Sequence, residues 1–326
     1  MTLEALADVV RGKGGRPHIV IVIGKGGVGK TTVSIMLGDL LSRSGRTLIV
    51  SLDQAKHLVK YLSLKETHKI TRIDGNLYAM QFDLEKESKK FTAEYSRLLK
   101  QIMPGLKVLN VEKAADTIRN SPGFEEEVYL RYLETLYANK DFDYIVVDTP
   151  PTGVTLRILN LPRTYMFWLG NLIELRTKIA SLKYSISRVI GEKAEARDPV
   201  LDKLYELQDR YKTLMNHLTD DTRTSYILVA TPEPLPVYEV EKTVQALQDL
   251  GAGVTGIVVN RIIEDDMAKS LGVYEVQRES IDTIINLKCR GPCIRIGIMM
   301  NRTPPDTLEK AREAARRTVA LATPIT

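Results

Sequence analysis

The sequence predicts a doubly wound, mostly parallel α/β sheet with a helical subdomain, and three observations carry that prediction. Short apolar, β-branched segments recur along most of the chain with helical patterns between them, the rhythm of parallel strands joined by crossover helices. A glycine-rich turn joins the first such segment to the first helical pattern. Two stretches, at about 84–139 and 163–221, then interrupt the rhythm with helical patterns alone and are expected to form the helical subdomain.

A chain of 326 residues that is 44% hydrophobic can bury a large core, which favours one α/β domain over 18–326 with insertions, preceded by an extension at 1–17. Within that extension Gly12-Lys13-Gly14-Gly15 follows no strand and is expected to be a mobile linker. No apolar run approaches the ~20 residues that span a bilayer. Glu4 and Asp8 near the start do not suit a secretory leader. The expectation is a soluble, cytoplasmic protein with no direct membrane insertion. Two cysteines, Cys289 and Cys293, argue against a disulfide framework and suit a reducing compartment. A net charge of +5 spread among 27% charged residues of both signs describes an ordinary solvated surface, and nucleic acid is not an expected partner.

Residues 18–23, His-Ile-Val-Ile-Val-Ile, read as a central parallel strand because they are apolar without alternation. Gly24-Lys25-Gly26-Gly27-Val28-Gly29-Lys30-Thr31-Thr32 follows and completes the pattern G-x-x-x-x-G-K-[ST], with a second lysine one place after its first glycine. A polyphosphate has to be wrapped by successive backbone N–H groups, which Gly26, Gly27 and Gly29 supply without side chains that hold the backbone away and to which Val28 adds its own amide. A helix opening at Lys30 aims its unpaired amides at the same anion, Lys30 reaches the terminal phosphates and Thr31 offers a hydroxyl to Mg²⁺. Val33, Leu37, Leu40 and Leu41 then recur at helical spacing. The sheet is therefore expected to be that of a P-loop NTPase.

The strand at 47–52 delivers Asp53 to its end, where a carboxylate can orient or deprotonate the attacking water. After the strand at 77–82, Phe91, Tyr95, Leu98, Leu99, Ile102 and Met103 make one apolar helical face that Pro104-Gly105 ends. The strand at 143–148 closes on Asp148 and runs into Thr149-Pro150-Pro151-Thr152-Gly153. Asp148 is expected to hold the metal through its water shell, and Gly153 to offer a backbone N–H to the terminal phosphate. An aspartate at either strand end would alternatively serve as a helix N-cap.

In the second helical region Leu172, Leu175, Ile179, Leu182, Ile186, Val189 and Ile190 form another apolar face. Tyr165-Met166-Phe167-Trp168-Leu169 is apolar on every side, so it either packs between helices or meets a hydrophobic client. Strands at 225–230, 254–260 and 294–300 complete the sheet. A last helix at 306–322 has a narrow face of Leu308, Ala311, Ala315 and Val319, suited to packing on the sheet rather than to membrane attachment.

Several of these segments together resemble the arsenite-pump (ArsA-like) ATPase family, which includes the guided-entry ATPases for tail-anchored membrane proteins. They are Gly24 to Thr32, Ser51-Leu52-Asp53-Gln54-Ala55, Asp148-Thr-Pro-Pro-Thr-Gly153-Val-Thr-Leu-Arg157 with Leu161-Pro162, Thr231-Pro-Glu-Pro-Leu-Pro-Val-Tyr-Glu-Val-Glu241, and Val258-Val259-Asn260. The resemblance implies a deviant Walker A ATPase working as a homodimer with ATP and Mg²⁺. In it Lys25 reaches phosphates bound by the other subunit, Lys30, Thr31 and Thr32 hold phosphates and Mg²⁺, Asp53 belongs to the first switch, Asp148 begins the second, and Asn260 contacts adenine. It also implies a hydrophobic client, the transmembrane segments of tail-anchored proteins, and a membrane receptor.

The chain departs from that family in places. Its first switch reads Asp53-Gln54-Ala55-Lys56 where the family has Asp-Pro-Ala-His, and no C-x-x-C follows Asn260. Cys289 and Cys293 stand later and are separated by three residues rather than two; two subunits could still supply four thiolates to zinc, against ordinary buried or free cysteines, and two cysteines do not reproduce the three-cysteine metalloid sensor. An arsenite-pump ATPase subunit and a partition or positioning ATPase resembling ParA and MinD are the competing readings. An iron–sulfur ATPase is set aside because no cysteines lie near the switches.

Overall fold

The computed structural model describes residues 2–102, 119, 121–190, 198–301 and 303–321. The chain forms two compact units: unit 1 comprises residues 1–84, 131–157 and 218–326, and unit 2 residues 85–130 and 158–217.

Unit 1 is built on a nine-stranded sheet with strands β1 (His18–Gly24), β2 (Thr47–Ser51), β3 (Thr71–Asp74), β4 (Leu77–Gln81), β5 (Tyr144–Asp148), β6 (Thr224–Ala230), β7 (Val254–Ile262), β8 (Ile294–Met299) and β9 (Thr318–Ala320). Their order is β3-β4-β2-β5-β1-β6-β7-β8-β9. The seven inner strands are parallel, while β3 and β9 lie antiparallel at the two edges. Described helices, in chain order, are α1 (Leu3–Arg11), α2 (Lys30–Ser42), α3 (His57–Tyr61), α4 (Leu84–Ile102), α5 (Phe124–Tyr137), α6 (Thr152–Ile190), α7 (Pro199–Thr219), α8 (Pro234–Leu250), α9 (Asp265–Ser270), α10 (Tyr274–Asn286) and α11 (Leu308–Arg316).

Every residue of β1 and β6 is buried, as expected of central strands in a sheet covered on both faces, and their polar residues His18, Thr224 and Ser225 stand at the strand starts. The register sets Ser51 of β2 beside Asp148 of β5, and Asp148 beside Val22 of β1. Three strand ends therefore meet where the order turns around β1, the crevice in which open α/β sheets take ligands.

Two stretches of unit 1 differ from their sequence reading. Residues 3–11 form α1, whose Leu3, Leu6, Ala7 and Val10 are wholly buried in the same core as α2. The Gly12-Lys13-Gly14-Gly15 linker is pinned rather than mobile: Gly15 N donates to Thr222 O at 2.9 Å and Lys13 Nζ to Thr255 Oγ1 at 3.2 Å. The last helix stops at Arg316, and Thr318–Ala320 becomes β9 against β8. Val319 thus belongs to a strand, a short edge pairing that a helical reading of alanine-rich sequence overrode. Arg312 on α11 binds the buried Asp39 of α2 at 2.6 Å and Asp74 of β3 at 2.7 Å, fastening the C-terminal helix to the sheet edge.

Unit 2 is helical. Phe91 and Phe124 pack ring on ring at 5.5 Å, Tyr165 and Tyr211 at 4.9 Å, and Arg176 pairs with Asp198 at 2.8 Å. The apolar segment at 165–169 divides: Leu169 is buried, whereas Phe167 and Trp168 are 69% and 61% exposed. Leu172, Leu175, Ile179, Leu182 and Ile186 are exposed as well. The side chains of Tyr95, Leu98, Leu99, Ile102, Val189 and Ile190, and all of Met103, Pro104 and Gly105, lie outside the described residues, as does residue 322.

Candidate functional site

The loop between β1 and α2 bends through two glycines in left-handed conformations, Gly27 (φ +85°) and Gly29 (φ +98°), where an L side chain is strained. A Cβ on Gly29 would also overlap the Asn260 amide. Gly26 and Gly27 are exposed and Val28 is buried. Gly29 caps α2, so the helix opens at Lys30 with its first amides turned toward the loop. Lys30 is buried, and its ammonium donates to Lys25 O at 3.3 Å. Burial pushes its pKa down, against the opposing pull of Asp148, Asp53 and Glu239. Lys25 itself is half-buried.

Asp148 is wholly buried at the end of β5. Its Oδ2 accepts from Thr31 Oγ1 at 2.8 Å and from Ser51 Oγ at 3.0 Å, while its Oδ1 has no partner among the described residues. Burial raises its pKa to about 6, opposed by those two hydrogen bonds and by Lys30. An orphaned buried carboxylate oxygen beside a threonine hydroxyl is an all-oxygen donor set, which fits a hard divalent cation. No group of three or more His, Cys, Asp or Glu forms a cluster among the described residues, so such a cation would depend on Thr31, Asp148 and the ligand it accompanies.

Asp53 follows β2 on a loop rather than capping a helix. Its Oδ1 accepts Ala55 N at 3.0 Å, and Leu52 N donates to Asp148 O at 2.8 Å, which ties this loop to the end of β5. The loop is held from below by Gln81, a fully buried amide on β4 whose Nε2 reaches Asp53 O at 2.9 Å and Ser51 O at 3.2 Å. Lys56 stands in the left-handed region (φ 53°) and precedes α3.

Thr32 on α2 accepts from Tyr61 OH at 3.4 Å, and burial pushes that phenol up to about 12. Gly153 is exposed in the first turn of α6, with open space where a Cβ would stand. The loop before it is stitched by Thr149 Oγ1 to Val22 O at 2.7 Å and Thr155 Oγ1 to Pro150 O at 2.9 Å. Asn260, near the end of β7, is buried. Its Nδ2 donates to Val28 O at 2.8 Å and its Oδ1 accepts Arg261 N at 3.0 Å. An apolar cleft opens beside it, walled by Met36, Ile298, Met300, Pro304 and Pro305.

Hydrogen bonds therefore join Thr31, Asp148 and Ser51 into one cluster, Asp53 into it through Gln81, Lys30 to Lys25, and Asn260 to the glycine loop. Gly153 has no direct bond to these groups among those described. Ser51 and Gln81 were not singled out from sequence. Gln81 carried a signal, being a polar residue inside an otherwise apolar strand that has to find partners when buried.

A glycine loop opening a buried-lysine helix, next to a threonine–aspartate pair at the crevice of a parallel sheet, defines the P-loop nucleotide hydrolases. The chain matches the family model described as Anion-transporting ATPase over residues 17–286. It is 29% identical over 269 residues to the Putative arsenical pump-driving ATPase 2 of Aquifex aeolicus, covering 81% of this chain and 87% of that one. It is 31% identical over 278 residues to ATPase ASNA1 homolog 1 of Paramecium tetraurelia, covering 82% of each. ATPase GET3A of Arabidopsis thaliana is 32% identical over 251 residues, covering 76% of this chain and 67% of that one. The chain belongs to the anion-transporting, ArsA-type ATPase family, and it is an ATPase.

Proposed function

We propose that the chain is a nucleotide-switched homodimer that captures a hydrophobic client when bound to ATP and releases it after hydrolysis, the client being the transmembrane segment of a tail-anchored protein. The observation that carries this reading is the spacing of exposed apolar side chains on α6. Trp168, Leu172, Leu175, Ile179, Leu182 and Ile186 follow one another at steps of four and three residues, the repeat that presents a continuous seam to another helix. These side chains are about half exposed, so covering the rest of each is worth on the order of 1 kcal/mol. No helix among the described residues is long and apolar enough to cross a membrane, so the seam is not part of a span of this chain.

In this reading Gly26, Gly27, Val28 and Gly29 wrap the phosphates with backbone amides, and Lys30 and Thr32 bind their oxygens. Mg²⁺, when bound with ATP through Thr31 and Asp148, neutralises charge on the β- and γ-phosphates. Asp53 orients the attacking water and takes its proton, while Gly153 offers a backbone N–H to the terminal phosphate. Asn260 borders the adenine, which lies in the apolar cleft beside Met36 and Pro304. Lys25, half-buried on the outer turn of the loop, reaches the phosphates of the second protomer. ATP drives capture because the closed pair binds it better than the open one. The same helix that opens at Thr152, close after Asp148, carries the seam in its later turns. A membrane receptor accepts the client, and the protein acts in the cytoplasm.

Membrane attachment through α11 would need that helix free; Ala311 and Ala314 are instead buried, which favours the client reading. The test is cell-free synthesis of a protein with a single C-terminal hydrophobic helix in the presence of the purified chain, with ATP, ADP or a non-hydrolysable analogue. Soluble complexes should form with the analogue and dissolve on ATP turnover. Aggregation that is the same with and without the chain would end the reading.

A further inference from the structure

β7 does not end as a regular strand. Its pairing with β8 runs from Gly256 to Val259, slips, and resumes only at Ile262 against Met299. Arg261 lies inside that slip and stands in the left-handed region (φ 62°), which a long side chain rarely occupies. The bend is held from both sides: Asn260 Oδ1 accepts Arg261 N at 3.0 Å, and Met300 N donates to Ile262 O at 2.7 Å. The same Asn260 amide donates to Val28 O at 2.8 Å, which ties the bend to the glycine loop. Irregularities of this kind re-aim a side chain and cluster beside ligand sites.

Arg261 lines the apolar cleft beside Asn260, together with Met36, Ile298, Met300, Pro304 and Pro305, and is the only charged residue of that lining among the described residues. It is exposed, and its side chain has no hydrogen-bond, ion-pair or ring partner among the described residues. Arg317, by contrast, is engaged with Asn301 Oδ1 at 3.0 Å and with Glu264 at 3.5 Å. A strained bend thus presents one unoccupied guanidinium at the mouth of an apolar cleft.

We propose that Arg261 is a nucleotide-binding residue whose guanidinium stacks on the face of the adenine that the apolar wall leaves open. The proposal rests on the base lying in that cleft. A nucleobase is a flat ring with two apolar faces, and the proline and methionine side chains can cover only one of them. A guanidinium is planar, weakly hydrated and always charged, and it stacks on such rings. Stacking reads the ring rather than the phosphates, so Arg261 contributes equally to the binding of ATP and ADP. It adds affinity for the base in a cleft whose own walls offer little but apolar surface.

The test is equilibrium binding of ATP, ADP and inorganic tripolyphosphate to the full-length wild type, Arg261→Ala, Arg261→Lys and Arg261→Gly. Arg261→Ala should weaken ATP and ADP by one common factor of about three- to thirtyfold and leave tripolyphosphate unchanged. Arg261→Lys keeps the charge but not the plane, so it should recover little of that loss. Glycine suits the left-handed backbone, so Arg261→Gly should melt no lower than the wild type while binding ATP as weakly as Arg261→Ala. In turnover a rise in KM, rather than a fall in kcat, should carry the effect. Photolabelling of the wild type with an ATP analogue bearing an azide on the adenine ring locates the base. Label missing from the peptide that carries Met299 and Met300 would end the cleft reading and this proposal with it. With label there, wild-type ATP affinity in Arg261→Ala and Arg261→Gly, or an equal loss for tripolyphosphate, would overturn the stacking alone.

Discussion

Thr31 Oγ1 donates to Asp148 Oδ2 at 2.8 Å across 117 residues of sequence, leaving the other carboxylate oxygen buried and unshared. The pair couples the first turn of the nucleotide-binding helix to the strand end beside it. Folding has prepared the carboxylate at some cost, because a buried group held at about 6 retains its proton to higher pH than it would in the unfolded chain.

The first prediction follows from that shift. With a folded pKa of about 6 against an ordinary value near 3.9, the native state binds the extra proton between those limits, so this contribution to stability is greatest below pH ~4 and declines as pH rises through about 6. The full swing is about 3 kcal/mol. Asp148→Asn removes the titration, so its stability relative to wild type should improve from pH 4.5 to pH 7.5. Urea midpoints at the two pH values measure it, and an unchanged difference would contradict the assignment. Metal-dependent nucleotide binding should weaken as pH falls below about 6, when the carboxylate protonates.

Turnover tests the two groups assigned to the reaction itself. Asp53→Asn keeps an acceptor for Ala55 N but removes the base, so hydrolysis should fall by ~10²–10⁴ while ATP binding is retained. Lys25→Met should also lower turnover far more than ATP affinity, and the loss should be rescued when the variant is mixed with subunits that carry Lys25 but lack Asp53. Single-turnover hydrolysis and equilibrium titration separate the two effects. Parental cycling in either variant would remove that residue from the mechanism.

The seam on α6 distinguishes function from packing. Leu175→Asp and Leu182→Asp replace exposed side chains, so each should change stability by no more than ~0.5 kcal/mol and leave basal ATPase activity intact. Both should reduce retention of a hydrophobic helix in solution by tenfold or more. Thermal melts run beside the capture assay decide the matter, because loss of folding would mean that these side chains serve the core.

Much of unit 1 was legible because its signals are local and chemically narrow. The unbroken apolar run before Gly24, the two positive-φ glycines, Asp53 on the loop after β2 and Asp148 at the end of β5 each meet a backbone or ligand requirement that few residue types satisfy. Edge strands β3 and β9 were not legible, since three or four residues of mixed character acquire strand geometry only from the neighbour they pair with. α1 was missed although its signal is local: Leu3, Leu6, Ala7 and Val10 stand at i, i+3, i+4 and i+7, one apolar helical face in the sequence itself. Gln81 and Ser51 act through hydrogen bonds to groups distant in sequence, and spacing cannot specify those. The apolar stretch at 165–169 could be read only as buried or as covering something, and it does both, with Leu169 inward and Trp168 outward.

His18 provides a second titration of opposite sign. It is wholly buried at the start of β1, its Nδ1 3.0 Å from Thr222 O and its Nε2 2.9 Å from Ser225 Oγ. The carbonyl can only accept, so Nδ1 carries the proton and Nε2 accepts from the serine, a neutral ring with both nitrogens satisfied. Burial lowers its pKa to about 4. The unfolded chain, near 6.5, therefore binds the proton first, and this contribution to stability is complete above pH ~6.5 and lost as pH falls toward 4, by about 3 kcal/mol. Between pH 4 and 6 it opposes the Asp148 contribution, so the wild-type profile alone hides both. In an Asp148→Asn background the acid limb should stand out, with stability falling steeply below pH 6.5, and adding His18→Gln should flatten it while lowering stability at neutral pH. Denaturant midpoints of the single and double variants from pH 4 to 8 provide the measurement. An acid limb that persists without His18 would assign acid sensitivity to another group.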